Sequence, residues 1–241
     1  METSTTEDAL LAGRVRFRQP RRGYRVAVDA VLLAAATSPP PRARVLDLGA
    51  GVGAVGLCLA SRVRDCCVIG VELQPDLADL AKRNVEANGM ADRVRTIVHD
   101  IARPLPEALG KFDCVATNPP YLAAAVADPS PDQSKALATV ESSADLARWL
   151  RVATAALVPN GTLTLIHRSD RLDEIASHLA RFGWGDVTVK RLPPAPRVLV
   201  RARQAGALQL RDSTPLTLHK PDGGYTDDAE AVLRHAASIV F

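Results

Sequence analysis

The chain has no stretch that approaches the roughly 18 consecutive apolar residues needed to cross a membrane. Its first residues, METSTTEDALLAG, include acidic side chains and have no apolar h-region. This composition argues against a secretory signal and against a transit peptide, which is poor in acidic residues. We therefore expect a cytoplasmic protein without membrane contacts.

The chain also lacks paired cysteines at metal-binding spacing. Its four cysteines show no C-x-x-C pattern, so a zinc site is not expected and no metal is predicted. They are Cys58, Cys66, Cys67 and Cys114. We interpret them as small apolar side chains in a reducing compartment.

Charge imbalance is small, with a net charge of +3, and by itself does not establish a nucleic-acid partner. The arginines are nevertheless concentrated in two groups. The first is a candidate for phosphate contacts and comprises Arg14, Arg16, Arg18, Arg21, Arg22 and Arg25. The second comprises Arg191, Arg197, Arg201, Arg203 and Arg211. For both groups, a solvated face with local salt bridges remains an alternative.

Apolar patterning from residue 44 to residue 166 alternates between strands and helices. It predicts strands at 44–48, 67–71, 94–98, 112–116 and 162–166, with helices at 54–63, 75–88 and 145–157. This alternation is typical of an α/β fold with a mostly parallel sheet and helices on both faces. Ligands of such sheets bind beyond the carboxyl ends of the strands.

The flanking segments complete the prediction of one domain. A helix is expected at 26–36, another at 172–182 and a third at 227–237, and strands at 186–191 and 197–203 form an antiparallel hairpin at the sheet edge. The predicted sheet therefore has seven strands. We divide the domain into an N-terminal segment (1–42), a core (43–203) and a C-terminal extension (204–241).

A glycine-rich loop follows the first core strand. Glycines permit positive φ angles and a close approach of a ligand to the backbone. Residues 51–56 match G-x-G-x-x-G, and Glu72 lies at a suitable distance to bind a ribose diol. On these residues alone, a nicotinamide or flavin enzyme remains open.

Asp47, at the end of the same strand, favours a different ligand. Its carboxylate would repel a pyrophosphate, whereas it suits a cationic sulfonium ligand. The D-x-G-x-G-x-G sequence resembles the cofactor loop of S-adenosylmethionine-dependent methyltransferases. The resemblance implies cofactor contacts at Asp47, Gly49, Gly51, Gly53, Glu72, Leu73, Asp100 and Ile101. It places Glu72 on the ribose hydroxyls and Asp100 on the adenine amine; helix capping or surface exposure is the alternative for both acids.

The sequence Asn118-Pro119-Pro120-Tyr121 directly follows the strand at 112–116. A planar amine is a poor nucleophile, and two acceptors, the Asn118 side chain and the Pro119 carbonyl, would stabilise the positive charge that develops on its nitrogen. The prolines stiffen the loop, and Tyr121 offers a flat face to a flipped base. The tetrapeptide resembles the signature of methyltransferases that modify adenine N6, guanine N2 or a glutamine amide. The resemblance also implies that Asn118 contacts the cofactor.

Residues 18–34 precede the core as R-Q-P-R-R-G-Y-R-V-A-V-D-A-V-L-L-A. Together with the core, they resemble the bacterial tRNA(Val) adenine-N6 methyltransferase family over residues 13–203. The resemblance implies a Rossmann-like class I fold, S-adenosylmethionine as cofactor, a tRNA substrate and cofactor contacts at Gln19, Tyr24 and Asp29. A homodimer is also expected. For Asp29, capping of the following helix is the alternative.

The stretch 122–141, where a substrate would be gripped, departs from the family by its Ala, Pro and Asp content. Other substrates therefore stay open, namely a release-factor glutamine or a guanine N2 of ribosomal RNA. Release-factor enzymes usually carry a helical domain before the core, and only about forty residues precede the glycine loop here. An oxidoreductase would leave the Asn118 loop unexplained, and an RNA-binding module without activity is a further class.

Overall fold

The computed structural model describes residues 4–121, 144–204 and 207–241. Within them the strands are β1 (Thr5–Leu10), β2 (Val15–Pro20), β3 (Arg44–Leu48), β4 (Cys67–Glu72), β5 (Val94–Val98), β6 (Phe112–Thr117), β7 (Leu157–Arg168), β8 (Asp186–Arg191), β9 (Arg197–Arg203) and β10 (Gln209–Asp212). The helices are α1 (Val28–Ala36), α2 (Ala54–Arg62), α3 (Pro75–Ala87), α4 (Leu146–Ala156), α5 (Leu172–Arg181) and α6 (Asp227–Leu233).

Eight strands form the main sheet in the order β10-β8-β9-β7-β6-β3-β4-β5. Strand β9 runs antiparallel to both of its neighbours, and the other pairs in this sheet are parallel. The central strands are apolar and buried because helices cover both faces of a parallel sheet. The predicted α/β Rossmann-like class is confirmed.

The eighth strand, β10, was not predicted. Its sequence, Gln-Leu-Arg-Asp, is exposed at all four positions and carries no apolar pattern. Backbone pairing with β8 alone places it in the sheet. The predicted count of seven strands is therefore one too low for the main sheet.

A second element missing from the prediction is the hairpin of β1 and β2. Alternation along β2 buries Val15 and Phe17 and exposes Arg16 and Arg18, but β1 is too polar to suggest a strand. The hairpin lies on α3, where the Asn84 side chain bonds the backbone N–H and C=O of Arg18 at 2.7 and 2.9 Å. This contact holds the N-terminal segment beside the glycine loop, because the same amide group also donates to the Val52 carbonyl.

Helices cover the sheet from both sides. On one face α1, α2 and α6 share a buried apolar cluster, and on the other α4 and α5 pack on the strands. Helix α6 contacts α1, so the C-terminal segment covers the N-terminal one. Among the described residues, no helix is both long and apolar enough to span a membrane. The division at residues 42 and 203 stays a prediction.

Candidate active site

A cavity of about 510 Å³ lies where β3, β4 and β6 end. This is the edge at which a parallel sheet binds its ligands. The structure brings most of the predicted site residues to its wall: Tyr24, Asp29, Gly49, Gly51, Glu72, Leu73, Asp100, Ile101, Asn118, Pro119, Pro120 and Tyr121. Gln19, Asp47 and Gly53 are not part of the wall.

The glycine loop forms the floor of the cavity and has no room for side chains. Gly49 and Gly51 have φ angles of +77° and +56°. A Cβ on Gly49 would lie 2.6 Å from Trp149 Cη2, and one on Gly51 would lie 2.8 Å from Tyr24 Cε1. The rings of Trp149 and Tyr24 therefore pack directly against the glycine loop. Trp149, on α4, was not singled out in the sequence because it reads as an ordinary apolar position of an amphipathic helix.

Gly53 contributes to the packing of two helices and does not line the cavity. With φ of +86° it is the N-cap of α2, and a Cβ there would lie 3.3 Å from the Ala81 side chain of α3. It therefore allows α2 and α3 to approach each other behind the cavity.

Glu72 joins the glycine loop to the end of β4. Its Oε2 accepts a 2.8 Å hydrogen bond from the Gly51 amide, and its Oε1 accepts one of 2.8 Å from the Gln74 amide. Burial raises the pKa of this carboxyl group, and the backbone donors oppose that rise. An acceptor fixed in this way is suited to hydroxyl donors of a ligand.

Asp47 lies beneath the loop. It is 2% exposed, and its Oδ2 has no hydrogen-bond partner among the described residues. Burial, together with the nearby charge of Glu72, raises the pKa of Asp47 to about 7. Two buried acids at the ends of neighbouring strands make this region of the site favourable for a cation.

The far wall of the cavity carries Leu73, Asp100 and Ile101. Asp100 Oδ1 accepts a 2.8 Å bond from the Ala102 amide and so caps the turn after β5, which is the alternative considered from the sequence. Leu73 is 37% exposed, an unusual state for a leucine beside a cavity. An apolar side chain and an acid next to each other are suited to a flat ring that carries an amine.

The loop after β6 places an unpaired acceptor at the cavity. Pro119 and Pro120 are buried, and the loop is fixed at its start by Thr117 Oγ1, which donates to the Leu48 carbonyl at 3.0 Å. Asn118 Oδ1 is buried and has no hydrogen-bond partner in the described part of the chain. Such a group costs about 1–3 kcal/mol unless a ligand supplies a donor.

Tyr121 ends this loop and contacts two residues from distant segments. Its hydroxyl donates to Asp29 Oδ2 at 2.8 Å, and Arg197 Nε lies 3.0 Å from the same oxygen. Arg197 was assigned only to the second arginine group. The sequence did contain a signal for Arg197 as a site residue: it begins a strand predicted to be antiparallel, and such a strand starts at the edge where the parallel strands end. Asp29 Oδ1 keeps no partner among the residues described.

Gln19 lies outside the cavity and links two parts of the N-terminal segment to each other. Its Nε2 donates to Asp8 at 2.8 Å and its Oε1 accepts from the Val26 amide at 2.7 Å. It thereby links β1 to the chain that leads into α1, which includes Tyr24. Its predicted contact with the cofactor stays a prediction.

The predicted RNA-binding arginines are exposed on the N-terminal segment. Arg18 forms a 2.6 Å ion pair with Glu7, Arg21 donates to Ser4, and Arg14 donates to the His235 carbonyl. Arg25 forms a 3.2 Å ion pair with Asp8. For the other two, Arg16 and Arg22, the described residues supply no side-chain partner. These two therefore remain available for an anionic ligand.

His167 is fully buried against Tyr121 at a ring-centroid distance of 5.1 Å. Burial lowers the pKa of His167 to about 4, so the imidazole is neutral.

Within the described ranges no group of acidic, histidine or cysteine side chains could hold a metal. The stretch 122–141, where the sequence suggested a substrate contact, lies outside the described residues.

The residues present fit S-adenosylmethionine. Asn118 Oδ1 and Asp29 Oδ1 are buried acceptors to which no described residue donates, and the glycines leave a cradle that a Cβ would fill. Glu72 and, above its pKa of about 7, Asp47 supply the negative charge that a sulfonium and an ammonium group require. A pyrophosphate would find two buried carboxylates instead of a cation.

Comparison with known proteins agrees with this geometry. A family model described as a methyltransferase domain matches residues 45–161. The chain is similar to a predicted O-methyltransferase from Agrobacterium tumefaciens of known structure, with a TM-score of 0.70, 26% identity, and coverage of 88% of this chain and 98% of that one. A release factor glutamine methyltransferase from Haemophilus influenzae is 32% identical over 63% of this chain and 55% of its own.

Two relatives carry the name tRNA1(Val) (adenine(37)-N6)-methyltransferase. That of Porphyromonas gingivalis is 32% identical over 66% of this chain and 64% of its own, so the match spans slightly less than two thirds of that relative. That of Serratia proteamaculans is 31% identical over 86% of this chain and 81% of its own. These matches decide against an oxidoreductase. The chain belongs to the family of tRNA1(Val) (adenine-N6)-methyltransferases, which are S-adenosylmethionine-dependent methyltransferases.

Proposed function

We propose that this protein methylates N6 of an adenine in tRNA. The observation that carries the proposal is the buried Asn118 Oδ1 at the wall of the cavity, which has no hydrogen-bond donor within residues 4–121, 144–204 and 207–241. An acceptor without a donor in this position is complementary to an N–H₂ group. Its desolvation is offset only when such a group enters.

Asn118 and Pro119 would act on the amine. Bound S-adenosylmethionine supplies an electrophilic methyl group on its sulfonium sulfur. The Asn118 side chain and the Pro119 carbonyl accept hydrogen bonds from the amine, and these bonds strengthen as positive charge develops on its nitrogen. No base is required beforehand, because the nitrogen-bound proton becomes acidic once methyl transfer is under way.

The buried prolines and the contacts of Tyr121 keep this loop rigid. A fixed loop saves the entropy of ordering the acceptors at the moment of reaction. The Tyr121 ring lies on the cavity wall next to Asn118 and is available for stacking by a base that has left its helix. Ordering and stacking together favour a nucleobase over an aliphatic amine.

The tRNA substrate is supported by the names of the relatives and by exposed arginines. Arg16 and Arg22 would contact phosphates, which orient a nucleic acid without reading its sequence. A cytoplasmic location and a homodimer complete the proposal. Light scattering on the purified protein measures the latter.

A glutamine amide is the second candidate, because the Haemophilus relative acts on release factors by its name. A carboxamide also presents an N–H₂ group to Asn118. It has no aromatic face, so the position of Tyr121 at the cavity favours the nucleobase.

The test is methyl transfer from labelled S-adenosylmethionine to total tRNA, ribosomal RNA and release factors in parallel, followed by nucleoside mass spectrometry. We expect N6-methyladenosine in tRNA. With Asn118→Ala, kcat should fall by about 100- to 1,000-fold while S-adenosylhomocysteine still binds. Label only in protein or in N2-methylguanosine would overturn the proposal.

A further inference from the structure

Tyr121 is held by more contacts than a stacking side chain requires. Its hydroxyl donates to Asp29 Oδ2 at 2.8 Å. The edge of its ring lies against His167 at an interplanar angle of 64°. The Arg197 guanidinium carbon lies 6.0 Å from the ring centroid. A phenol held at its oxygen and along its ring has one orientation rather than several.

The Asp29 carboxylate depends on Arg197. Its side chain is 7% exposed, and an isolated carboxylate at that depth is costly to keep charged. The Arg197 Nε at 3.0 Å compensates that charge from a side chain that is itself 33% exposed. Arg197 therefore keeps Asp29 in the charged state that accepts the Tyr121 hydroxyl hydrogen bond.

The three residues come from separate parts of the chain. Asp29 lies in the first turn of α1, Tyr121 follows β6, and Arg197 begins β9. All three line the cavity. The ion pair and the hydrogen bond therefore connect the N-terminal segment and the sheet-edge hairpin to the loop that carries Asn118.

We propose that Arg197 and Asp29 are positioning residues that fix the Tyr121 ring as the stacking surface for the substrate base. The inference rests on the proposed function, since it requires that the group that is methylated belongs to a planar ring. It gives Arg197 a role in catalysis that acts through Asp29 and the Tyr121 ring and not through a phosphate. Asp29 Oδ1 stays free for a donor of the bound ligands.

The two roles of Arg197 differ in their kinetics. A residue that orders the stacking surface acts on the productive geometry, so its loss lowers kcat and leaves RNA affinity nearly unchanged. A residue that contacts phosphate contributes affinity, so its loss raises KM and reduces the salt dependence of binding.

The experiment is a double-mutant cycle with Arg197→Gln, Tyr121→Phe and both together, measured with the full-length protein. We expect each single change to lower kcat by about 10-fold or more, with KM and the Kd of S-adenosylhomocysteine within about 3-fold of wild type. The double variant should be no more than about 3-fold slower than the slower single variant, because both changes break one arrangement.

Three further variants complete the design. Asp29→Asn keeps the shape and should reproduce the loss of kcat, while Arg197→Lys keeps the cation and should recover part of the activity. Arg203→Gln removes the same charge from the other end of β9 and should behave as wild type. Thermal denaturation and S-adenosylhomocysteine binding verify that each variant is folded.

Multiplicative effects in the double variant, or a raised KM with unchanged kcat in Arg197→Gln, would overturn the positioning role. The cycle is run on whichever acceptor is labelled in the substrate survey. A wild-type protein that methylates no adenine refutes the proposed function. Multiplicative losses on the acceptor that is methylated refute the positioning role instead.

Discussion

The Gly51 amide donates a 2.8 Å hydrogen bond to Glu72 Oε2, and this bond joins the loop after β3 to the end of β4. The two residues are 21 positions apart in the sequence. The same carboxylate fixes the Gln74 amide, so one side chain organises the backbone on two sides of the cavity. The geometry of the glycine loop therefore depends on the residue that we propose to bind the cofactor.

Removal of this carboxylate should weaken cofactor binding. We expect Glu72→Ala to raise the Kd of S-adenosylhomocysteine by about 10- to 100-fold, since hydrogen bonds to charged groups contribute about 1.5–3 kcal/mol. Isothermal titration calorimetry measures the change. The control is Glu86→Ala, which removes an exposed acid from α3. Equal effects of the two changes would contradict the assignment of Glu72 to the site.

A side chain on the glycine loop should be costly because of the neighbouring aromatic ring. We expect Gly49→Ala to lower the free energy of unfolding by about 1–3 kcal/mol more than Gly89→Ala does. Gly89 has φ of +64° and an open surrounding, so its substitution measures backbone strain alone. Urea denaturation compares the two. If they are equally destabilised, the Trp149 ring moves aside without cost.

Asp47 should make the protein less stable as the pH rises from about 4 to about 7. The folded protein keeps the Asp47 proton up to a pKa of about 7, whereas the unfolded chain releases it at its ordinary value of 3.8. The folded state thus binds more protons in this interval, and stability falls by up to about 4 kcal/mol from this group. Asp47→Asn should lack this part of the pH dependence in denaturation at pH 4, 5.5 and 7. Parallel curves for both proteins would contradict the raised pKa.

Arg16 and Arg22, whose side chains have no partner in the described part of the chain, should contribute most of the salt-dependent RNA affinity of the N-terminal segment. We expect Arg16→Ala and Arg22→Ala each to reduce the slope of log K against log salt by about 1, because each contact to phosphate releases counterions. Arg18→Ala should have less effect, since Glu7 already pairs with Arg18. Fluorescence anisotropy with tRNA at several salt concentrations measures the slopes. If Arg18→Ala changes the slope as much as Arg16→Ala does, Arg18 contacts phosphate despite its ion pair with Glu7, and the expectation is wrong.

The local pattern was sufficient for the core strands. Buried parallel strands such as β3 carry continuous apolar runs, and the turns after them carry glycine or proline, so both the fold and the positions of Glu72 and Asn118 could be predicted. Strands β1 and β10 escaped prediction because their pairing is made by backbone groups of polar sequences, and the short alternation at 15–18 in β2 was not recognised without its partner strand. Polar strands leave no periodic signal.

The amino-acid sequence by itself determined which groups follow which strand, and therefore which side chains meet at one edge of the sheet. Tertiary structure alone decided their partners: that Arg197 compensates Asp29, that the Trp149 ring packs against Gly49, and that Gln19 bonds Asp8 and Val26. The physical reason is the range of the interactions. Apolar periodicity acts within one element, whereas an ion pair or a ring contact joins residues that only the packed sheet brings together.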